Sequence, residues 1–319
     1  MRALAIALLA CACGTALAQV YPSRPVRLIV PFPAGGSTDL IGRTLAKKLG
    51  EGLGRQVIVE NRPGAGGTIG VAALARLPAD GYALGMGTVS TLGMAPVVRA
   101  VPPYDPLAAF APVSLVASAP FIVVVNASVP AKSLEELIAL AKAKPGQLNF
   151  ASIGDGTLQH FAGESFKSLA HVDMVHVPYK GVAPALIDLL AGQVQVGFDI
   201  LASFQLQNVQ SGKLRALAVL GPARVAQLPS VPVASEAGLA GFDITAWFGL
   251  IAPKGTPAEI VARLNAEVRK AVVSAELREA IATQGLEPAA DSPQEFASLI
   301  EKEMARWAQV VKTSGFKAD

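Results

Sequence analysis

Short β-branched apolar runs alternate with helical patterns along nearly the whole chain, and this alternation restricts the possible folds more than any other feature. The runs lie at 26–30, 56–60, 82–87, 121–125, 148–151, 172–177, 193–198, 214–220 and 245–251. Most are apolar throughout rather than at alternate positions, as in strands covered by helices on both faces. The segments between them carry helix-start signals. Ser133-Leu134-Glu135-Glu136 is a capping box, and Pro145-Gly146 ends the helix it opens. Thr256-Pro257-Ala258-Glu259 and Ser292-Pro293-Gln294-Glu295 repeat the device. Ile41, Leu45 and Leu49 recur at every fourth residue, which gives one helix a face for a sheet. The pattern predicts an α/β fold with mostly parallel sheets.

The 319 residues leave room for two domains. No Ser/Gly linker divides them, so two lobes would be joined by ordered segments, with 121–126 and 246–251 as candidates. A hydrophobic fraction of 52% against 16% charged residues excludes a disordered chain. The net charge of +3 is small and scattered, which argues against a nucleic-acid partner.

The N-terminus has the three parts of a secretory signal: Arg2, an apolar stretch over 3–12, and the small-residue site Ala16-Leu17-Ala18. Residues 1–18 are therefore expected to be removed, leaving a periplasmic chain that starts at Gln19. A competing reading takes Leu8-Leu9-Ala10-Cys11 as a lipobox that would leave a lipid on Cys11, after an unusually short apolar stretch. Cys11 and Cys13 are the only cysteines and both lie in this segment, so the mature chain would hold no disulfide, Cys nucleophile or Cys-ligated metal. No later run reaches the length of a membrane-spanning helix.

Two Gly-rich turns point to function. Pro31-Phe32-Pro33-Ala34-Gly35-Gly36-Ser37-Thr38-Asp39 follows the first apolar run, and Ser152-Ile153-Gly154-Asp155-Gly156-Thr157 follows the run at 148–151. A strand, a bare turn and a helix start leave backbone N–H groups aimed at one spot, with the positive end of the helix dipole behind them. That arrangement binds anions without Lys or Arg. Gly35, Gly36, Ser37 and Thr38 are candidate donors in the first turn, with Phe32 shielding the cleft; Ser37 also reads as an ordinary N-cap. Ser152, Gly154, Gly156 and Thr157 are the counterparts in the second turn. His160 falls one helical turn further on, where it either touches a ligand or orients the turn, and Asp155 is expected to face solvent. Asp39 suits the first turn of a helix. Asp199 follows a strand end and either accepts a ligand hydroxyl or ammonium or caps the next helix. Thr88 ends a strand and is a further lining candidate.

Other chemistries find little support. Gly64-Ala65-Gly66-Gly67 lacks the third glycine of a dinucleotide fingerprint, since Ile69 stands there, and reads as a turn near the cleft mouth. His171 and His176 are an odd number apart, which puts them on opposite faces of a strand, and no clustered carboxylates join them. No metal or cofactor is expected, and no G-x-S-x-G elbow is present.

The residues 30–39 resemble the first loop of the Bug receptors, the extracytoplasmic substrate-binding proteins of tripartite tricarboxylate transporters. Further matches follow in order: Glu60-Asn61-Arg62-Pro63-Gly64, Asp80-Gly81-Tyr82, Ser152 to Gly156 with Thr157 and His160, and Val177-Pro178-Tyr179-Lys180-Gly181. Gly192-Gln193-Val194 with Phe198-Asp199, Ser211-Gly212-Lys213, Pro229-Ser230-Val231-Pro232, Glu236-Ala237-Gly238 and Ala252-Pro253-Lys254-Gly255 complete the series. The resemblance implies a two-lobed, type II-like periplasmic binding protein, with residues 22–122 and 246–319 as one domain and 123–245 as the other. It implies a small organic acid as ligand, held by the two turns partly through ordered water. The membrane subunits of a transporter are the implied partner, and a monomer is expected. A sensor that presents its closed form to a signalling protein is a second reading. An exported hydrolase-like enzyme using Asp39 and Asp199 is a third, weakened because the cleft candidates are mostly glycine and hydroxyl residues. Ile153, Asp155, Phe204 and Gln205 depart from the family pattern, which leaves the ligand unnamed.

Overall fold

A computed structural model describes residues 21–99, 101–282 and 286–314; the expected signal segment lies outside them. The strands are β1 Val26–Val30, β2 Val57–Asn61, β3 Ala83–Thr88, β4 Phe110–Asn126 and β5 Asn149–Ser152. They continue with β6 Val175–Pro178, β7 Val196–Ile200, β8 Leu214–Val219, β9 Thr245–Pro253 and β10 Glu287–Pro288. Along the sheet the order is β2-β1-β3-β9-β4-β7-β5-β6, with β8 and β10 also bonded to β4.

The expected parallel pairing holds in two outer groups. β1 runs parallel to β2 and β3, and β5 runs parallel to β6 and β7. The centre differs: β9 is antiparallel to β3 and β4, and β4 is antiparallel to β7 and β8. β4 and β9 carry the chain between the groups and pair directly, without the crossover helix that parallel neighbours need. The sheet is therefore mixed.

β4 is the spine. Its residues 110–120 pair with β9, and its residues 121–126 pair with β7 and β8. Sequence patterning finds only the second part, because the first contains Pro112, Pro120 and a run of Ser and Ala rather than β-branched residues. The ladder to β9 slips between Pro112 and Ser114 and again between Leu115 and Ala117, the first slip adjoining Pro112, while Pro120 closes the ladder opposite Thr245. Past residue 120 the side chains alternate: Phe121, Val123 and Val125 enter one apolar cluster, and Ile122 and Val124 the other. Both faces are thus covered, which explains the uninterrupted apolar run.

Helices complete the layers. Ser37–Leu53 buries Ile41, Leu45 and Leu49 as its spacing predicts, and ends at Gly54 in the left-handed region, φ 69°. The helix Pro293–Ser314 lies over β4, and its buried Trp307 meets Phe161 edge to face at 4.7 Å. Among the described residues no helix is long and apolar enough to cross a membrane.

Candidate functional site

β1 delivers the chain into the first Gly-rich turn. Gly35 takes φ +86°, a left-handed conformation open to glycine, and Gly36 becomes the N-cap of Ser37–Leu53. The first helical bond runs from the Leu40 N–H to the Gly36 carbonyl at 3.0 Å. The N–H groups of Ser37, Thr38 and Asp39 therefore precede any intrahelical acceptor. Gly35, Gly36, Ser37 and Thr38 line a cavity of about 300 Å³. The Ser37 and Thr38 hydroxyls, nearly buried, have no hydrogen-bond partner among the described residues.

Asp39 lines none of the cavities; it locks the loop. One carboxylate oxygen accepts the Gly35 N–H at 3.0 Å and the Arg43 Nε–H at 2.9 Å. The other accepts from Asn61 Nδ2 at 2.8 Å, and the same amide reaches the Phe32 carbonyl at 3.1 Å. Burial works to raise its pKa, but the bonds from Arg43, Gly35 and Asn61 outweigh it and hold the carboxyl below the ordinary range.

The opposite wall is a turn that the sequence analysis did not single out as a site. β6 ends at Pro178, Gly181 takes φ 121°, and the helix Val182–Ala191 begins. Gly181, Val182, Ala183 and Pro184 line the same 300 Å³ cavity, so a second helix N-terminus faces the first. The two turns approach closely. A Cβ placed on Gly36 would lie 3.7 Å from a Val182 methyl, and one on Gly181 would lie 3.3 Å from the Pro33 ring. The signal was present as Tyr179-Lys180-Gly181, a strand followed by glycine and a helix. Lys180 lies at this junction as an exposed cation.

The second predicted turn is arranged differently. Its donors are satisfied locally: Gly154 N–H bonds the Ser152 hydroxyl at 3.1 Å and Gly156 N–H bonds His160 Nδ1 at 3.3 Å. The Thr157 N–H and hydroxyl both reach the Gly154 carbonyl, at 3.4 and 2.7 Å. The Leu158 N–H donates to the Ser90 hydroxyl at 3.0 Å. His160 orients the turn, one of its two expected roles. Asp155 is exposed, as expected.

Ile153 lines the first cavity, while Gly154 and Asp155 line a second of about 570 Å³. Across it lie the loop Gly64 to Gly67 and Arg99, whose Nε is buried with no acceptor among the described residues. Gly66 needs its missing side chain, since a Cβ there would sit 3.0 Å from the Asp155 carbonyl oxygen. Phe32, Pro33, Ile153, Lys180 and Gly181 border both cavities, so the two adjoin.

Asp199 lines the first cavity and does not cap the next helix, whose N-cap is Ala202. Its carboxylate accepts from the Ile200 N–H at 2.8 Å, Gln159 Nε2 at 3.2 Å and Gln205 Nε2 at 2.7 Å. Burial nonetheless pushes its pKa up, beyond what those bonds offset. The Gln205 Oε1 atom is buried without a donor. Gln159, which sequence reasoning missed, joins Asp199 on the cavity wall. Thr88 caps the turn Val89–Met94 and lines a smaller void of about 40 Å³ with Thr38, Ser90 and Trp247. Ser152 borders a void of about 20 Å³ beside Asp199. Asp39, Gly156, Thr157 and His160 line none of these cavities.

Known proteins share this architecture. Residues 41–316 match the family model of the tripartite tricarboxylate transporter family receptor. Protein BugT of Bordetella pertussis is 40% identical over 305 residues, covering 94% of this chain and 92% of its own. Rpa4515 of R. palustris, solved with adipate, superposes with a TM-score of 0.88 at 36% identity, covering 93% of this chain and 99% of that one. MatC of Rhodopseudomonas palustris, solved with bound malate, gives 0.85 at 34% identity, covering 91% and 100%.

Proposed function

Because this chain belongs to the tripartite tricarboxylate transporter receptor family, whose members are periplasmic solute-binding proteins, we propose that it captures a small organic carboxylate between residues 22–122 with 246–319 and residues 123–245. Residues 1–18 direct its export. The observation that carries the reading is the paired helix start at one cavity. The N–H groups of Ser37 and Thr38, their unpartnered hydroxyls and the dipole of Ser37–Leu53 converge on a 300 Å³ space. That volume stands at the small end of ligand sites. Relatives solved with adipate and malate support an acid as the guest.

The carboxylate docks on Gly36, Ser37 and Thr38, with Val182 and Ala183 donors opposite. Asp199 holds about one lone-pair position beyond its three N–H partners, which suits a ligand hydroxyl or ammonium. Lys180 at the junction of the cavities draws the anion inward. The closed form passes the acid to membrane subunits of a tripartite transporter. Asp199 lines this cavity and Asp39 does not, which favours capture over an acid–base pair.

A thermal-shift screen of organic acids on the mature chain tests this. A cognate acid raises the melting temperature by mass action. No shift with any carboxylate, at concentrations up to the millimolar range, overturns it.

A further inference from the structure

The Ser152-to-Thr157 turn carries a side-chain cluster that carboxylate capture does not use. β6 pairs with β5 so that His176 lies beside Phe150, and the His176 ring stacks on His160 with centroids 3.7 Å apart and planes 9° apart. Asp155 overhangs both: its Oδ1 lies 3.9 Å from His160 Nδ1 and 3.7 Å from His176 Nδ1. Among the described residues this is the one grouping of three potential metal-ligating side chains.

The surrounding bonds place the lone pair of His160 and limit that of His176. His160 Nδ1 accepts the Gly156 N–H, so it carries a lone pair. The Ser152 hydroxyl donates to the Gly154 carbonyl at 3.2 Å and accepts the Gly154 N–H at 3.1 Å. It also meets His176 Nε2 at 2.7 Å, and in the tautomer in which Nε2 is the donor the His176 lone pair stands on Nδ1, on the side of Asp155. In that tautomer two imidazole nitrogens and a carboxylate oxygen face one another, with the Gly156 N–H directed at one of the ring nitrogens, an arrangement that a cation completes.

We propose that Asp155, His160 and His176 bind a divalent transition-metal ion of the zinc class. Two imidazole nitrogens and one carboxylate suit zinc and its neighbours rather than calcium or magnesium, and three protein ligands leave a fourth position open. Tetrahedral bonds of about 2.0–2.1 Å give ligand–ligand edges of about 3.4 Å, a small contraction from the separations seen. Asp155 is exposed and its carboxylate accepts no hydrogen bond among the described residues, so it can close the gap, while the rings tip out of their stack and the long Gly156 bond gives way. Ser152 on His176 Nε2 is the outer partner that orients a metal-binding imidazole. Asp155 borders the 570 Å³ cavity, which gives the ion a route from solvent.

The test uses the mature chain stripped with a chelator, titrated with Zn²⁺ by calorimetry and with Co²⁺ by visible absorption. One ion per chain and the d–d bands of four-coordinate Co²⁺ are expected. Asp155→Ala, which leaves the fold untouched, and His176→Gln should each weaken uptake at least about tenfold, with circular dichroism confirming both variants folded. No saturable uptake by the unmodified chain, or uptake unchanged in Asp155→Ala, overturns the proposal; a cluster that takes protons alone gives the first of these results.

Discussion

The Ser90 hydroxyl accepts the N–H of Leu158 at 3.0 Å, and both groups are buried. A side chain from the turn after β3 thereby caps a helix that follows β5, in the other outer group of the sheet. The Leu158 N–H belongs to the first turn of its helix and has no intrahelical acceptor. Ser90→Ala leaves that donor buried and unsatisfied, and should cost about 1–3 kcal/mol of unfolding free energy in a urea titration. Ser90→Thr, which keeps the hydroxyl, should recover most of the loss. Equal stability of Ser90→Ala and the unmodified chain would show that the bond bears no weight.

The pair Ser37→Ala with Thr38→Val removes two hydroxyls from the cavity with little change in shape. Each charge-assisted bond to a carboxylate is worth about 1.5–3 kcal/mol. The doubly substituted chain should bind a cognate acid at least about tenfold more weakly by calorimetry, with an unchanged melting curve in the absence of ligand. Unaltered affinity would place the acid elsewhere.

Asp39→Asn removes the charge that gathers Gly35, Arg43 and Asn61. The carboxyl sits below its unfolded pKa, so its contribution is present above about pH 4 and is lost as pH falls through the lower folded value. The variant should be less stable by on the order of 1 kcal/mol at pH 7. The gap to the unmodified chain should narrow in strongly acidic buffer. A gap that is constant with pH would remove the charge from the explanation.

Asp199 carries the opposite sign. Its folded pKa is raised, so the folded state holds this proton more tightly and stability declines as pH rises from the unfolded value through the folded one. Asp199→Asn removes that penalty. A rotated Gln205 amide can offer its unpartnered oxygen to the new Asn N–H. The variant should melt higher than the unmodified chain at pH 7, and the advantage should shrink on acidification. A lower melting temperature at every pH would show that the carboxylate is stabilising where it stands.

Much of this molecule can be read from local patterning. β1, the helix start at Ser37 and the buried face of Ile41, Leu45 and Leu49 follow from apolar runs and glycine, because those features act within a few residues. What escapes depends on neighbours distant in the chain. Spacing reveals that Gly154 and Gly156 make a turn, yet not that Ser152, His160 and Ser90 already take its N–H groups. The wall at Gly181 and Val182 has the same local grammar as the first turn, and only the shared cavity shows that the two face each other. Asp155, His160 and His176 meet because β5 and β6 pair in one register, whereas sequence spacing considers His176 only against His171. The first part of β4 is hidden by Pro112 and Pro120, residues that mark loops unless, as here, one adjoins a ladder slip and the other stands at a ladder end.

That strand has a mechanical consequence. The 17 residues from Phe110 to Asn126 pair with β9, the neighbour of β3, over their first part and with β7 and β8 over their second, and so link the two outer groups in one strand. Relative motion of the groups cannot swivel at one slack joint. It must be taken up as torsion spread along a bonded ribbon, most easily at the slips near Pro112 and Leu115 and between Val123 and Val124. Whatever turns one group against the other would therefore work against backbone hydrogen bonds along the ribbon, and its resistance would be set by how many of them must stretch at once.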